Sequence, residues 1–242
     1  MAALGGLTVY GASSPQSRLF GPTIRHTPSP KQLALTFDDG PNPAITPQLL
    51  DLLDRHGARA TFFLIGRFVR ACPDIVREIA ARGHTIGNHT ETHPNLFWLS
   101  ADRQHDELRR CQEAIASVVT TPPVLMRPPF GLRNPFLDRV AREVGLHRVV
   151  MWTLLPGDWR EKPADWLIQR MTPIAERAEC VKRGGTQSSG GDVLCLHDGS
   201  HLGLNGDRRR TLTALEHWLP RWLDLGLEFV TIPAATGAAG GG

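Results

Sequence analysis

Apolar residues gather in about seven short runs along the chain, and most of these runs are followed by a segment with helical spacing. The runs cover residues 33–37, 60–64, 84–88, 124–126, 146–152, 192–196 and 227–232. Short apolar runs alternating with amphipathic segments predict an α/β fold with mainly parallel strands. Residues 45–56 are expected to be helical: Thr46 is placed to cap, Pro47 suits the first turn, Leu49, Leu50, Leu52 and Leu53 form a stripe, and Gly57 ends it. A second helix opens at Pro73, runs through Ile75, Val76, Ile79 and Ala80, and stops at Gly83. Residues 102–119 and 135–144 are predicted as further helices, and Leu212, Leu215, Trp218, Leu219 and Leu223 as the apolar stripe of another. The prolines of Arg127-Pro128-Pro129-Phe130-Gly131 exclude helix and central strand, so this stretch must be a shaped loop. The Gly/Ser-rich residues 179–191 are expected to form a mobile loop.

A length of 242 residues with 41% hydrophobic content suits one core. The expected organisation is an N-terminal extension over 1–30, a trimmed anchor or linker, then one catalytic domain over 31–233 and a disordered tail over 234–242. A net charge of +3, from 27 basic and 24 acidic residues, argues against nucleic acid as a partner. The run Arg208-Arg209-Arg210 reads as a solvated helix start. Cys72, Cys111, Cys180 and Cys195 show no C-x-x-C spacing, and Cys195 reads as a small buried hydrophobe. No apolar stretch approaches the roughly 20 residues of a membrane span, and the first ten residues lack the basic start of a secretory leader.

The chemistry-bearing residues fall after the predicted strands. Asp38 and Asp39 follow the first, His89 and His93 the third, Arg127 the fourth, Asp158 and Trp159 the fifth, and His197 and Asp198 the sixth. In a barrel of parallel strands the C-terminal ends meet on one rim, so these positions converge. A transition metal held by two imidazoles, one helical turn apart by their spacing, and one carboxylate keeps open positions, as catalytic rather than structural sites do. A second carboxylate is then free to act as a base, which points to a hydrolase.

The motifs Thr36-Phe37-Asp38-Asp39-Gly40-Pro41, His89-Thr90-x-x-His93, Arg127-x-Pro129-x-Gly131, Asp158-Trp159 and Leu194-x-x-His197 occur in this order. Together they resemble the polysaccharide deacetylase family, carbohydrate esterase family 4, over about residues 31–233. The resemblance implies a distorted (β/α) barrel and a metal-dependent hydrolase that removes acetyl groups from an acetylated carbohydrate by attack of metal-activated water. The expected substrate is N-acetylglucosamine in chitin-like oligomers or peptidoglycan. It implies Asp39, His89 and His93 as metal ligands, with zinc first and cobalt or nickel tolerated. Asp38 is implied as the base, Arg127 as its charged partner, His197 as the acid and Asp158 as the group that orients it. The amide of Phe130 would stabilise the oxyanion, and Trp159 and Leu194 would wall the pocket for the acetyl methyl. One departure stands out: Leu155 occupies a position that is often acidic in the family.

Other readings stay open. The same constellation suits acetylxylan or a non-sugar amide or ester, and a silent relative would bind carbohydrate without turnover. His84, His105, His147, His201 and His217 are read as background, and Trp98, Trp166, Trp218 and Trp222 as packing residues. The chain is expected to act as a monomer with no stable protein partner. The substrate class places it outside the cytoplasm, although no export signal or membrane segment is read from the sequence.

Overall fold

A computed structural model describes residues 10–185 and 190–232. Its sheet has nine strands in the order β1-β7-β6-β5-β4-β3-β8-β2, with β9 paired to β3. The strands are β1 (Thr23–Ile24), β2 (His26–Thr27), β3 (Gln32–Gly40), β4 (Ala60–Leu64), β5 (Thr85–Asn88), β6 (Leu125–Met126), β7 (Arg148–Val150), β8 (Gly191–His197) and β9 (Glu228–Phe229). All pair in parallel except β2, which runs antiparallel to β8. Past β7, the N–H of Thr153 donates to Val193 O and that of Cys195 to Leu154 O, each at 2.9 Å. Those bonds nearly close the sheet into a barrel. The seven predicted strands correspond to β3 through β9, whereas β1 and β2, two residues each, are too short to leave a periodic signal. They draw the segment before Lys31 into the sheet.

Period-two alternation sorts the strand residues between two layers. Leu33, Leu35, Phe37, Phe62, Leu64, Leu194 and Leu196 face outward into the main core beneath the helices. Ala34, Phe63, Leu125, Val150 and Val193 face inward and fill the barrel floor. The helices are α1 (Thr46–Arg55), α2 (Gly66–Ala71), α3 (Pro73–Ala81), α4 (Ala101–Ala116), α5 (Leu137–Glu143), α6 (Ala164–Lys182) and α7 (Arg209–Asp224). Of these, α1, α3, α4, α5 and α7 answer to predicted segments. In α1 the leucine stripe is buried as expected, and Gly57, at a φ of +60°, supplies the left-handed residue that stops it.

Four expectations need correction. Thr46 does not cap α1: Ile45 takes that position, and the Thr46 hydroxyl accepts from Asn42 N–H and donates to buried Asp198. Residues 179–182 belong to α6, whose Leu167, Met171, Ile174 and Ala178 form a buried face that carries it past Pro173; the rest of the expected mobile loop lies partly outside the described residues. Leu223 is exposed, while Trp222 takes the buried place on α7. Trp98 is 78% exposed and packs into no core. The tail over 234–242 lies outside the described residues. Among the described residues, no helix is long and apolar enough to cross a membrane.

Candidate active site

Consecutive residues of a regular strand point to opposite faces, yet Asp38 and Asp39 both line one cavity of about 430 Å³ at the C-terminal rim of the barrel. A bulge achieves this. Asp38 pairs with Phe63 and Gly40 with Leu64, so Asp39 is the extra residue, and its φ of 70° swings its carboxylate back to the side of Asp38. Among the described residues, Thr90, His93 and Phe130 are the other non-glycine residues with left-handed backbone, at φ of 68°, 64° and 58°. All four border this cavity or the turn that forms it. Each such residue costs on the order of 1–3 kcal/mol, and strain of this kind gathers where geometry serves chemistry.

His89 and His93 were expected one helical turn apart. Their segment is instead an irregular turn after β5. Asn88 Oδ1 accepts from Thr90 N–H at 2.8 Å and Thr90 Oγ1 from His93 N–H at 3.0 Å, folding both rings toward Asp39. Buried Glu91 anchors the turn through two bonds from Arg70 Nη1, at 2.7 and 2.8 Å. His89 Nδ1 lies 2.7 Å from the carbonyl of Arg127. A carbonyl only accepts, so Nδ1 carries a proton, and in the neutral tautomer this leaves Nε2 with a lone pair. That lone pair lies 3.5 Å from Asp39 Oδ1, and His93 Nε2 lies 3.2 Å from the same oxygen.

Asp39 Oδ1 is buried and has no hydrogen-bond donor. An acceptor oxygen facing the unprotonated nitrogen of His89 is a poor arrangement without a cation between them. The donor set therefore fits a divalent metal. Burial opposes ionisation of Asp39, but bonding from His201 and the neighbouring histidines holds its carboxyl well below the usual range. Burial, helped by His89, pushes His93 down to about 3, which leaves its ring neutral. Among the described residues, Asp39, His93 and His201 form the group whose donor atoms all lie within 4.8 Å of one another. His201 was read as background. Its signal in the sequence was only its place four residues beyond His197, in a turn rich in glycine and serine.

Arg127 is fully buried behind Asp38. Its Nη1 donates to Asp38 Oδ1 and to Thr36 Oγ1, each at 2.7 Å, its Nε to Val150 O, and its Nη2 to Met151 O, while the guanidinium lies 4.3 Å over the Phe63 ring. Beside Asp38, as its register partner on the adjacent strand, stands His197, the last residue of β8, which also lines the cavity. Asp158 holds it twice at 2.8 Å, through the backbone N–H and through Nδ1, and accepts a third bond from Thr211 Oγ1. Burial pushes His197 down, but Asp158, with smaller help from Asp39 and Asp38, raises it to about 9. The ring is thus protonated at neutral pH, with Nε2 left for another partner.

Phe130 caps the rim, 55% exposed, its ring edge-on to His93 at 4.7 Å. Trp159 packs edge-on to His197 at 5.1 Å. Leu194 does not wall the cavity. Residues 194 and 197 are separated by an odd number of positions, so on one strand they face opposite sides, and Leu194 lies in the outer core. Cys195 is the β8 residue that joins His197 at the cavity, with Trp152 and Leu155 nearby. Cys195 Sγ lies 3.4 Å from Asp38 Oδ2, which makes it more than a small core residue. Arg208 also lines the cavity instead of lying wholly in solvent.

The description "Polysaccharide deacetylase" matches residues 25–149. A peptidoglycan-N-acetylglucosamine deacetylase of Bacillus cereus is 36% identical, covering 84% of this chain and 86% of the relative. A chitooligosaccharide deacetylase of Rhizobium leguminosarum bv. trifolii is 33% identical, covering 84% and 91%. Among solved structures, a peptidoglycan N-acetylglucosamine deacetylase in complex with 4-naphthalen-1-yl-N-oxidanyl-benzamide superposes with a TM-score of 0.72 at 30% identity, over 87% of this chain and 90% of that one. With its motifs in order, its barrel nearly closed and these likenesses spanning most of its length, the chain belongs to the polysaccharide deacetylase family.

Proposed function

We propose that this cavity hydrolyses the acetamide of N-acetylglucosamine units in peptidoglycan or chitin-like oligomers, releasing acetate. The observation that carries the reading is one cavity lined by two differently prepared groups: Asp38, held by the Arg127 guanidinium, and His197, held protonated by Asp158. Asp39, His89 and His93 would hold a divalent metal, zinc before cobalt or nickel, and it would polarise the acetyl carbonyl and make water acidic. Asp38 accepts the proton of the attacking water, and the Arg127 Nη1 bond holds its carboxylate in place for that transfer. His197 delivers its proton to the departing amine, and Asp158, accepting from its Nδ1 and from its backbone N–H, fixes the residue for that transfer. The amide of Phe130, turned by the left-handed backbone at that residue, is the donor aimed at the developing oxyanion. Cys195, Trp152, Leu155 and Trp159 shape the apolar end that receives the methyl. The substrate class places the working enzyme outside the cytoplasm.

Acetate release from chitooligosaccharides, peptidoglycan fragments and acetylxylan, with and without chelator, tests this. The expected result is chelator-sensitive release from the first two, reduced at least a hundredfold in D38N and in H197A. Undiminished turnover in chelator, or in D38N, would overturn it. Tight sugar binding with no acetate formed would show a silent relative instead.

A further inference from the structure

Building on the metal reading above, we propose that His201 is a further imidazole donor to the ion held at Asp39, so that this chain offers three histidines and one carboxylate rather than two histidines and one. His201 Nδ1 lies 3.6 Å from Asp39 Oδ2, the oxygen opposite the one that faces His89 and His93. Its ring stacks on that of His93, centroids 4.4 Å apart and planes within 15°, which brings its nitrogen beside the His93 donor. The three donor atoms of Asp39, His93 and His201 lie within 4.8 Å of one another, and rotation of the partly exposed His201 ring out of its stack would turn its in-plane lone pair toward the same ion.

The loop is built to keep the ring there. The backbone N–H of His201 donates to Asp39 Oδ2 at 3.2 Å, and its carbonyl accepts from Arg67 Nη2. Asn42 clasps both ends of the loop, its Nδ2 donating to Asp198 O and to Gly206 O at 2.9 Å each. Within the loop, Gly203 N–H closes on Ser200 O at 3.0 Å. With the peptide of residue 201 held on both sides, the loop loses little backbone entropy when the ring binds an ion. At 37% exposure, His201 is also the most open of the nitrogen donors and forms part of the cavity wall. It is therefore the ligand able to yield when substrate enters, whereas His89 is locked by the Arg127 carbonyl.

The test uses the full chain stripped of metal and titrated with cobalt(II), read by visible absorption and by competition with a chelator of known affinity. Wild type should bind with the intense spectrum of a low-coordinate ion rich in imidazole. Replacing His201 by Gly should weaken cobalt binding at least tenfold and weaken the spectrum, and added imidazole should restore both, while circular dichroism stays unchanged. If H201G binds cobalt with unaltered affinity and spectrum while D39N and H89A lose it, His201 is no ligand and the metal reading stands. If wild type itself binds no cobalt, both fall.

Discussion

His89 donates from Nδ1 to the backbone carbonyl of Arg127 at 2.7 Å, while the guanidinium of the same Arg127 donates to Asp38 Oδ1 at 2.7 Å. One residue thus fixes a metal-site imidazole with its main chain and the proposed base with its side chain. Substitution separates the two roles. Arg127→Met keeps the carbonyl but leaves the Asp38 carboxylate buried without its partner, which should destabilise the protein by about 3–5 kcal/mol. Turnover should fall at least tenfold, whereas metal affinity should change far less. Arg127→Lys keeps a charge but cannot reproduce the fork to Thr36, Asp38 and Met151, so its stability should lie between the two. Denaturant unfolding alongside metal titration checks this; equal loss of both properties would show that the two roles are not separable.

His197 gives a signed pH dependence. Its ordinary value of 6.5 is raised to about 9 in the folded, metal-free chain, since the attraction of Asp158 outweighs burial. A group raised on folding contributes stability that is fully present below about pH 6.5 and is lost as the pH climbs through about 9. In Asp158→Asn the imidazole keeps its burial and loses its counter-charge, so its pKa should fall. The stability gap between wild type and variant should be wide near pH 6 and close at alkaline pH. The alkaline limb of the pH–rate profile should move to lower pH in the same variant, because the proton needed by the leaving amine is lost earlier. Titration of the His197 ring by NMR, with unfolding at several pH values, reads both. A gap that is constant across pH would mean that Asp158 serves only packing.

The strand and helix order was readable because short apolar runs punctuated by amphipathic segments are a local signal, and β3, β4 and β8, buried over most of five or more residues, express it. Helix α6 was missed since Pro173 reads as a stop, although Leu167, Met171, Ile174 and Ala178 were spaced to continue the face. At the site, Asp38, Asp39, His89, Arg127 and His197 stand at strand ends and His93 in the turn that follows one, where topology makes them converge. Leu194 could have been corrected from parity alone, because His197 three positions later must face the other way. His201 had no such signal. Its approach to Asp39 depends on Asn42 and Arg67, which lie about 130 or more positions away in sequence, and on a loop with no periodicity.

Asp198 predicts a slope of the same sign in a lower pH window. The carboxyl is fully buried, one oxygen accepting from Thr46 and the other without a donor. Burial raises it to about 7 despite the Thr46 bond, and the charges of Asp39 and Asp38 add to the rise. An acid raised on folding costs stability once the unfolded chain ionises, so stability should decline from about pH 4 to about pH 7 and level off above. The slope should approach about 1.4 kcal/mol per pH unit. Asp198→Asn keeps an acceptor for Thr46 and removes the titration. It should flatten this part of the stability profile and be the more stable protein near pH 8. A profile that keeps the wild-type slope would assign the slope to another group.

The bulge at Asp39 requires that Gly199 have no side chain. A Cβ there would stand 2.0 Å from the Asp39 carbonyl oxygen, 2.4 Å from its carbon and 2.9 Å from Gly40 N, all backbone atoms that no rotamer change can clear. In Gly199→Ala the bulge must move, carrying the Asp39 carboxylate away from His89 and His93. Displacement by about 1 Å at a reacting centre can cost 10²-fold, so turnover should drop by roughly that factor and metal affinity should fall with it. Gly203 lies in the same loop with nothing within 4 Å of its would-be Cβ, which makes Gly203→Ala the matched control and one expected to behave as wild type. Calorimetric metal titration and acetate release on the two variants decide the matter: parallel losses would trace the effect to the loop as a whole, and loss confined to Gly199 would trace it to the strained backbone that turns two adjacent aspartates into one site.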